Sequence, residues 1–138
     1  MTDPALLAFA AGLPDFLLQG SAALLVWAAA VGLYVLLTPH AEFKLVRAGN
    51  AAAGLSLAGV AVGVAIPVAV ALATAHSLVD LLVWGIGAAV LQLLAFRVTD
   101  MILRGLPQRI ADGEMAAATV LVGVKLGASL LTAAALVG

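Results

Sequence analysis

The chain has no cysteine, which excludes a disulfide framework and a thiolate metal site. It is also poor in charge. Only 9% of its residues are Asp, Glu, Lys or Arg, against roughly 25% in an ordinary globular domain. A water-soluble fold could not cover its surface with so few. The net charge is −1 and no basic arm is present, which argues against nucleic acid as a partner, since phosphates need a basic face. No Lys or Arg precedes the first apolar patch in MTDPALLAFAAGLPDF, so the basic n-region of a secretory leader is missing there. No cofactor and no metal are expected.

What the sequence does have is apolar length. Hydrophobic residues make up 65% of its 138 residues, and they fall in runs long enough to cross a bilayer core. The reading is an all-α integral membrane protein with the lipid bilayer as its solvent. Four spans are expected, over residues 16–37, 51–75, 78–96 and 115–137. Thr38-Pro39 ends the first, because proline disfavours helix in the residue before it. Residues 1–15, bracketed by Asp3, Pro4, Pro14 and Asp15, read as an N-terminal interfacial segment with a helix of about two turns. The HSLVD turn is so short that the second and third spans must form an antiparallel hairpin. Lys44, Arg47, Arg97, Arg104 and Arg109 all fall at or between the ends of spans one and two or three and four. The positive-inside rule then makes those loops cytoplasmic and leaves both termini outside.

The chain also repeats itself. LLVW occurs at residues 24–27 and 81–84, and GNAAAGLSLAGVAVG from Gly49 aligns without gaps to GEMAAATVLVGVKLG from Gly113. The second copy has seven more residues between the two motifs, about two helical turns. Residues 16–75 and 76–138 thus read as two related two-helix halves. Each half holds two spans, so the relation is a parallel repeat. The GxxxG pairs Gly59–Gly63 and Gly123–Gly127 fall in the second helix of each half. Glycine there lets another backbone approach closely, within one chain or between chains.

The stretch TPHAEFKLVRAGNAAAGLSLAGVAVGVAIP resembles the YjfL-type family of small bacterial inner-membrane proteins, a domain of unknown function. Thr38, Pro39, Glu42, Arg47, Gly49, Asn50, Ala52, Ala53, Gly59, Gly63 and Pro67 carry the resemblance. Asp80, Trp84, Gln92, Gly113, Glu114, Ala116 and Ala117 extend it. It implies four spans in two related halves and a place in the bacterial inner membrane. Such proteins are associated, by the company their genes keep, with phage-shock-type envelope-stress proteins and polyamine-related enzymes. That raises a cytoplasmic envelope-stress protein as a partner. The sequence departs from the family pattern at Lys125, where a small polar residue is expected, and at Thr132, where Asn is expected.

Lys125 is the residue that most needs a reason. It lies near the middle of the fourth span, about 15 Å from either interface. A stem of roughly 6 Å cannot carry its ammonium to water. Lys125, Ser129 and Thr132 share one helix face, and Ser56 and Gln92 fall at about the same depth. These five form an expected polar layer. With the third span ending at Phe96, no carboxylate stands at that depth, so Lys125 is expected to lack an ion pair. The plainer reading is a lysine in a hydrated oligomer seam. His76 and Asp80, at the outer edge, read as caps of the third span or as a cation or proton site. Gly49-Asn50 reads as a turn before span two. Met101, Ile102, Leu106 and Ile110 would rest on the headgroups, with Arg97, Asp100 and Arg104 on the polar side of a loop helix.

A Ser129–Lys125 dyad lacks the freedom and the oxyanion hole that catalysis needs, so no enzyme is expected. The expected function is an oligomeric channel or transporter subunit for an ion or small polar solute, since four thin helices enclose little alone. The alternative is a non-conducting scaffold that recruits the cytoplasmic envelope-stress partner.

Overall fold

In the computed structural model, which describes residues 3–38 and 42–138, helix formation begins at Asp3. Its side chain accepts the Ala5 N–H at 2.8 Å, and Pro4 takes the first helical position, where a missing donor costs nothing. Helix α1 then runs from Pro4 to Leu37 without interruption. The expected separate N-terminal helix is therefore not separate. Pro14 deletes a single hydrogen bond, and the Ala- and Leu-rich turns on both sides hold the helix through it. At 34 residues, α1 is about 51 Å long, well beyond the roughly 30 Å bilayer core.

Helix α2 (Glu42–Arg47) is a short link. The expected stop at Thr38-Pro39 is seen at Thr38, whose hydroxyl donates to the Tyr34 carbonyl; Pro39 lies outside the described residues. After α2 the Gly49 N–H donates to Val46 O and the Asn50 N–H to Leu45 O, with Gly49 at φ 87°. This is a Schellman turn, which a residue with a Cβ would strain. Asn50 then caps α3 (Ala51–Thr74), accepting the Ala53 N–H at 3.0 Å.

Helix α4 (Leu78–Ile102) starts at Ser77. Ser77 Oγ accepts the Asp80 N–H at 3.1 Å while Asp80 accepts the His76 N–H at 2.9 Å, so His76 and Asp80 close this helix end. The helix continues six residues past Phe96, the expected end of the span. An apolar run stops where hydropathy stops, but a helix stops where its backbone bonds do. After α5 (Gly105–Ala111), the Gly113 N–H donates to Ile110 O and the Glu114 N–H to Arg109 O. Gly113 too has φ 87°, so the turn after α5 matches the turn after α2. Helix α6 spans Met115–Val137.

Helices α1, α3, α4 and α6 are each long and apolar enough to cross a membrane. Helix α3 packs on α1, α4 and α6, and α4 packs on α1 and α6. The four therefore form a rhombus, with α3 and α4 across its short diagonal and α1 and α6 at the far corners. The α3–α6 seam is set by glycine. A Cβ on Gly59 would meet Val122, and one on Gly63 would meet Phe96 and Ser129, all within 3 Å. Gly123 and Gly127 have nothing within 4 Å of that position, so the second glycine pair is open within this chain. Helix α5 turns Ile110 and Leu106 into a cluster with Ala52, Ala53, Ala117, Ala118 and Leu121. Of the expected headgroup-facing set, only Met101 and Ile102 stay exposed. Buried protein neighbours claim the other two.

Candidate functional site

The ends of the helices that carry Lys44, Arg47, Arg104 and Arg109 form one basic end of the bundle. All six helices contribute to it. Helix α1 buries few residues, Ala23, Ala30 and Tyr34, and half-buried Trp27 lies on the same stripe, donating its Nε1–H to Ala61 O at 2.8 Å. Tyr34 is the end of that stripe, edge-on to Phe96 of α4 with ring centroids 6.1 Å apart. One turn beyond Phe96, on the same face, stands Asp100.

Lys125 reaches this group from α6. Its side chain leans toward the start of its helix, which is the basic end. The ammonium is 1% exposed and lies 2.9 Å from Asp100 Oδ1. It donates to the Tyr34 hydroxyl, which donates in turn to Asp100 Oδ2 at 3.0 Å. The Lys125–Asp100 contact is close enough for an ion pair but off the line of a hydrogen bond. The two rings flank the ammonium, 4.8 Å and 5.4 Å from it to the Tyr34 and Phe96 centroids, a cation–π arrangement.

The expectation of an unpaired Lys125 is thus wrong. Asp100 is its partner, supplied by the stretch of α4 beyond the expected end of the span. Arg97 and Asp100 belong to α4 and not to a loop helix.

The cluster faces a cavity of about 260 Å³ lined by Tyr34, Thr38, Glu42, Ser56, Arg97 and Asp100, with Arg104 and α5 residues beside them. Glu42 is 7% exposed, and its Oε2 has no hydrogen-bond partner among the described residues. Burial pushes its carboxyl up to about 7; the Lys125 charge pulls the other way and Asp100 adds to the rise. Asn50 ties the cavity wall together. Its Nδ2 donates to Ile110 O at 3.2 Å and Ala111 O at 3.1 Å, joining α5 to the start of α3.

The expected polar layer divides. Ser56 lines the cavity. Ser129 is buried and donates to the Lys125 carbonyl, while the Lys125 ammonium points away from it, so the two make no nucleophile–base pair. Gln92 is fully buried, and neither of its amide atoms has a partner among the described residues. Thr132 is only half-buried and bonds to Ala128 of its own helix. Of the motif residues, Thr38 and Glu42 line the cavity, while Gly49 and Asn50 shape its wall. Arg47 is exposed at the end of α2. Sequence reasoning missed Tyr34 altogether and gave Asp100 to the headgroups. The signal for Asp100 was there: Gln92, Phe96 and Asp100 repeat at four-residue spacing, one continuous helix face.

Four apolar helices around a buried charged cluster define a multi-pass integral membrane protein. The chain belongs to the Domain of Unknown Function (DUF350) family, whose pattern matches residues 8–136. It is 30% identical over 102 residues to the UPF0719 inner membrane protein YjfL of Escherichia coli K12, covering 74% of this chain and 77% of that protein. The same protein of Escherichia coli O157:H7 matches to the same extent. With four apolar helices and an inner-membrane relative, the chain is a multi-pass inner-membrane protein. No solved structure matches it.

Proposed function

We propose that the protein is a transporter or channel subunit that binds an ion or small polar solute in the cavity at its basic end. The observation that carries this reading is the Tyr34–Asp100–Lys125 cluster beside a cavity of about 260 Å³. Ionisable groups inside membrane spans are expensive, and where they persist they commonly serve a transported species. A cavity of this size admits a small solute and no macromolecule.

In this reading the basic end faces the cytoplasm and both termini lie outside, because the loop Lys and Arg gather at that end. Function requires a homo-oligomer, for which the open Gly123–Gly127 face supplies a surface where backbones can approach. The two halves are a parallel repeat, supported by the matching turns at Gly49 and Gly113. The glycine pairs depart from that symmetry, since one is packed and the other open. No enzymatic activity is part of this reading. A scaffold that recruits an envelope-stress protein would use the apolar face of α5, but Ile110 and Leu106 are spent inside the protein, which favours solute binding.

The test is flux in reconstituted vesicles, read by light scattering with potassium chloride, potassium acetate or glycine as external solute. The parent should pass at least one of them. The double variant Lys125→Met/Asp100→Asn, which keeps the volume without the charges, should lose or change that flux. Folded parent protein that passes none would overturn the reading.

A further inference from the structure

We propose that Glu42 is a proton-binding site that sets the charge of the cavity, so that the proton is the ion coupled to its occupancy. This deepens the reading above, since it names the coupled ion of the same cavity.

Several charged groups share this confined space. Glu42 and Asp100 both line the cavity, and the Lys125 ammonium stands beside Asp100. Asp100 therefore holds the ammonium, and the Tyr34 hydroxyl is spent on Asp100 as well. What remains for Glu42 is little. Among the described residues its Oε2 accepts no hydrogen bond, and the residue is 7% exposed. A buried carboxylate left without a partner neutralises itself by taking a proton. The open side of the cavity gives that proton a route to water.

Helix α1 presents the neutral Tyr34, α4 presents Asp100 and Arg97, and α6 presents Lys125. Arg104, between α4 and α5, lines the same cavity. Helices α3 and α5 contribute no titratable side chain to its lining. On α2 itself, Lys44 and Arg47 are both exposed. Neither Arg97 nor Arg104 forms an ion pair with Glu42 among the described residues. With a proton on Glu42, the Lys125–Asp100 pair is balanced and the unpaired guanidiniums give the cavity a positive bias. Loss of the proton adds one negative charge and halves that bias. The burial-raised carboxyl of Glu42, at about 7, agrees with exchange near neutral pH.

Infrared spectroscopy of the reconstituted protein tests this without any transported solute. The parent, titrated from about pH 5 to about pH 9, should carry a protonated-acid carbonyl band that disappears with a midpoint well above that of free glutamate. The band should be missing in Glu42→Gln. In Asp100→Asn its midpoint should fall, because a neighbouring negative charge is gone and Lys125 is released toward Glu42. The Asp100→Asn shift decides the matter even if Glu42→Gln folds poorly. A folded parent without the band, or a band unchanged in Glu42→Gln, overturns the proposal. Titration in the absence of any flux would instead leave the proton site standing and sink the transport reading.

Discussion

Lys125 and Tyr34 meet across the long diagonal of the bundle. Helices α6 and α1 stand at opposite corners, separated by α3 and α4 and not packed along their lengths, yet the Lys125 ammonium donates to the Tyr34 hydroxyl. Asp100 joins them at 2.9 Å and 3.0 Å. A long lysine stem and a phenol ring thus span a gap that small Ala and Gly side chains leave. At this level the chain ties its first helix to its last by a side-chain hydrogen bond.

The charges in that triad should be strongly interdependent. Asp100→Asn or Lys125→Met alone leaves an uncompensated buried charge and should cost about 3–5 kcal/mol. The double variant removes both charges and should fall within about 1 kcal/mol of the parent, since matched apolar replacements of buried pairs are often neutral. Unfolding by detergent titration in bicelles gives the three values. A Lys125→Met variant as stable as the parent would refute the pairing.

Glu42 should make stability fall with rising pH. Its folded-state value, raised from 4.5 to about 7, means the folded protein holds a proton that the unfolded chain releases. The sign follows from linkage: the penalty is absent below about pH 4.5, grows through the interval and is complete above about pH 7, where it reaches roughly 3 kcal/mol. Melting curves across that range should show the decline in the parent. Glu42→Gln should flatten it and melt higher at alkaline pH.

The two glycine pairs should respond differently to bulk. Gly59→Leu drives a side chain into Val122 and should cost about 1–3 kcal/mol of fold stability or more. The Cβ of Gly123→Leu meets nothing within 4 Å among the described residues, and this variant should leave monomer stability within about 0.5 kcal/mol. If it lowers the mass of the purified particle, the open pair is a subunit seam. Equal loss of folding in both variants would contradict the packing described.

Asn50 should be worth more than an ordinary cap. Asn50→Ala removes the cap of α3 and both bonds to the α5 carbonyls, so a loss of about 2 kcal/mol or more is expected. Ser77→Ala at the start of α4 should cost about 1 kcal/mol. Denaturation midpoints of the two variants, measured side by side, check the order.

Orientation is checked by labelling. His76→Cys and Gln108→Cys put single thiols at opposite ends of the bundle, both on exposed residues. In intact cells a membrane-impermeant maleimide should reach His76→Cys and spare Gln108→Cys. The reverse pattern would invert the topology, and labelling of both would remove the four-span arrangement.

Much of the fold was legible in the sequence because helix in a membrane follows apolar length. The start of α3 is where Gly49-Asn50 indicated, and α6 covers the expected span from Met115. The end of α4 was not, since Arg97 and Asp100 look like loop residues until a buried lysine is found to use one of them. That pairing is long-range, and nothing local to Asp100 or Tyr34 announces it. Lys125 itself was legible as an anomaly. Its partners depended on which helix faces meet, and Ala- and Gly-rich spans, apolar all round, give few clues to facing. The same uniformity hid which glycine pair would pack.

The length of α1 has a practical consequence. Residues 16–37 already cover about 33 Å, enough for the bilayer core, and the turns from Pro4 to Asp15 add about 18 Å of continuous helix. Small, fully immersed proteins give electron microscopy little to align on, because the detergent belt hides their outline. The extra helix at one end of the bundle is a fiducial. It distinguishes top from bottom in every particle image, and it marks the side on which a tag or antibody fragment can be fused without touching the charged cluster at the other end.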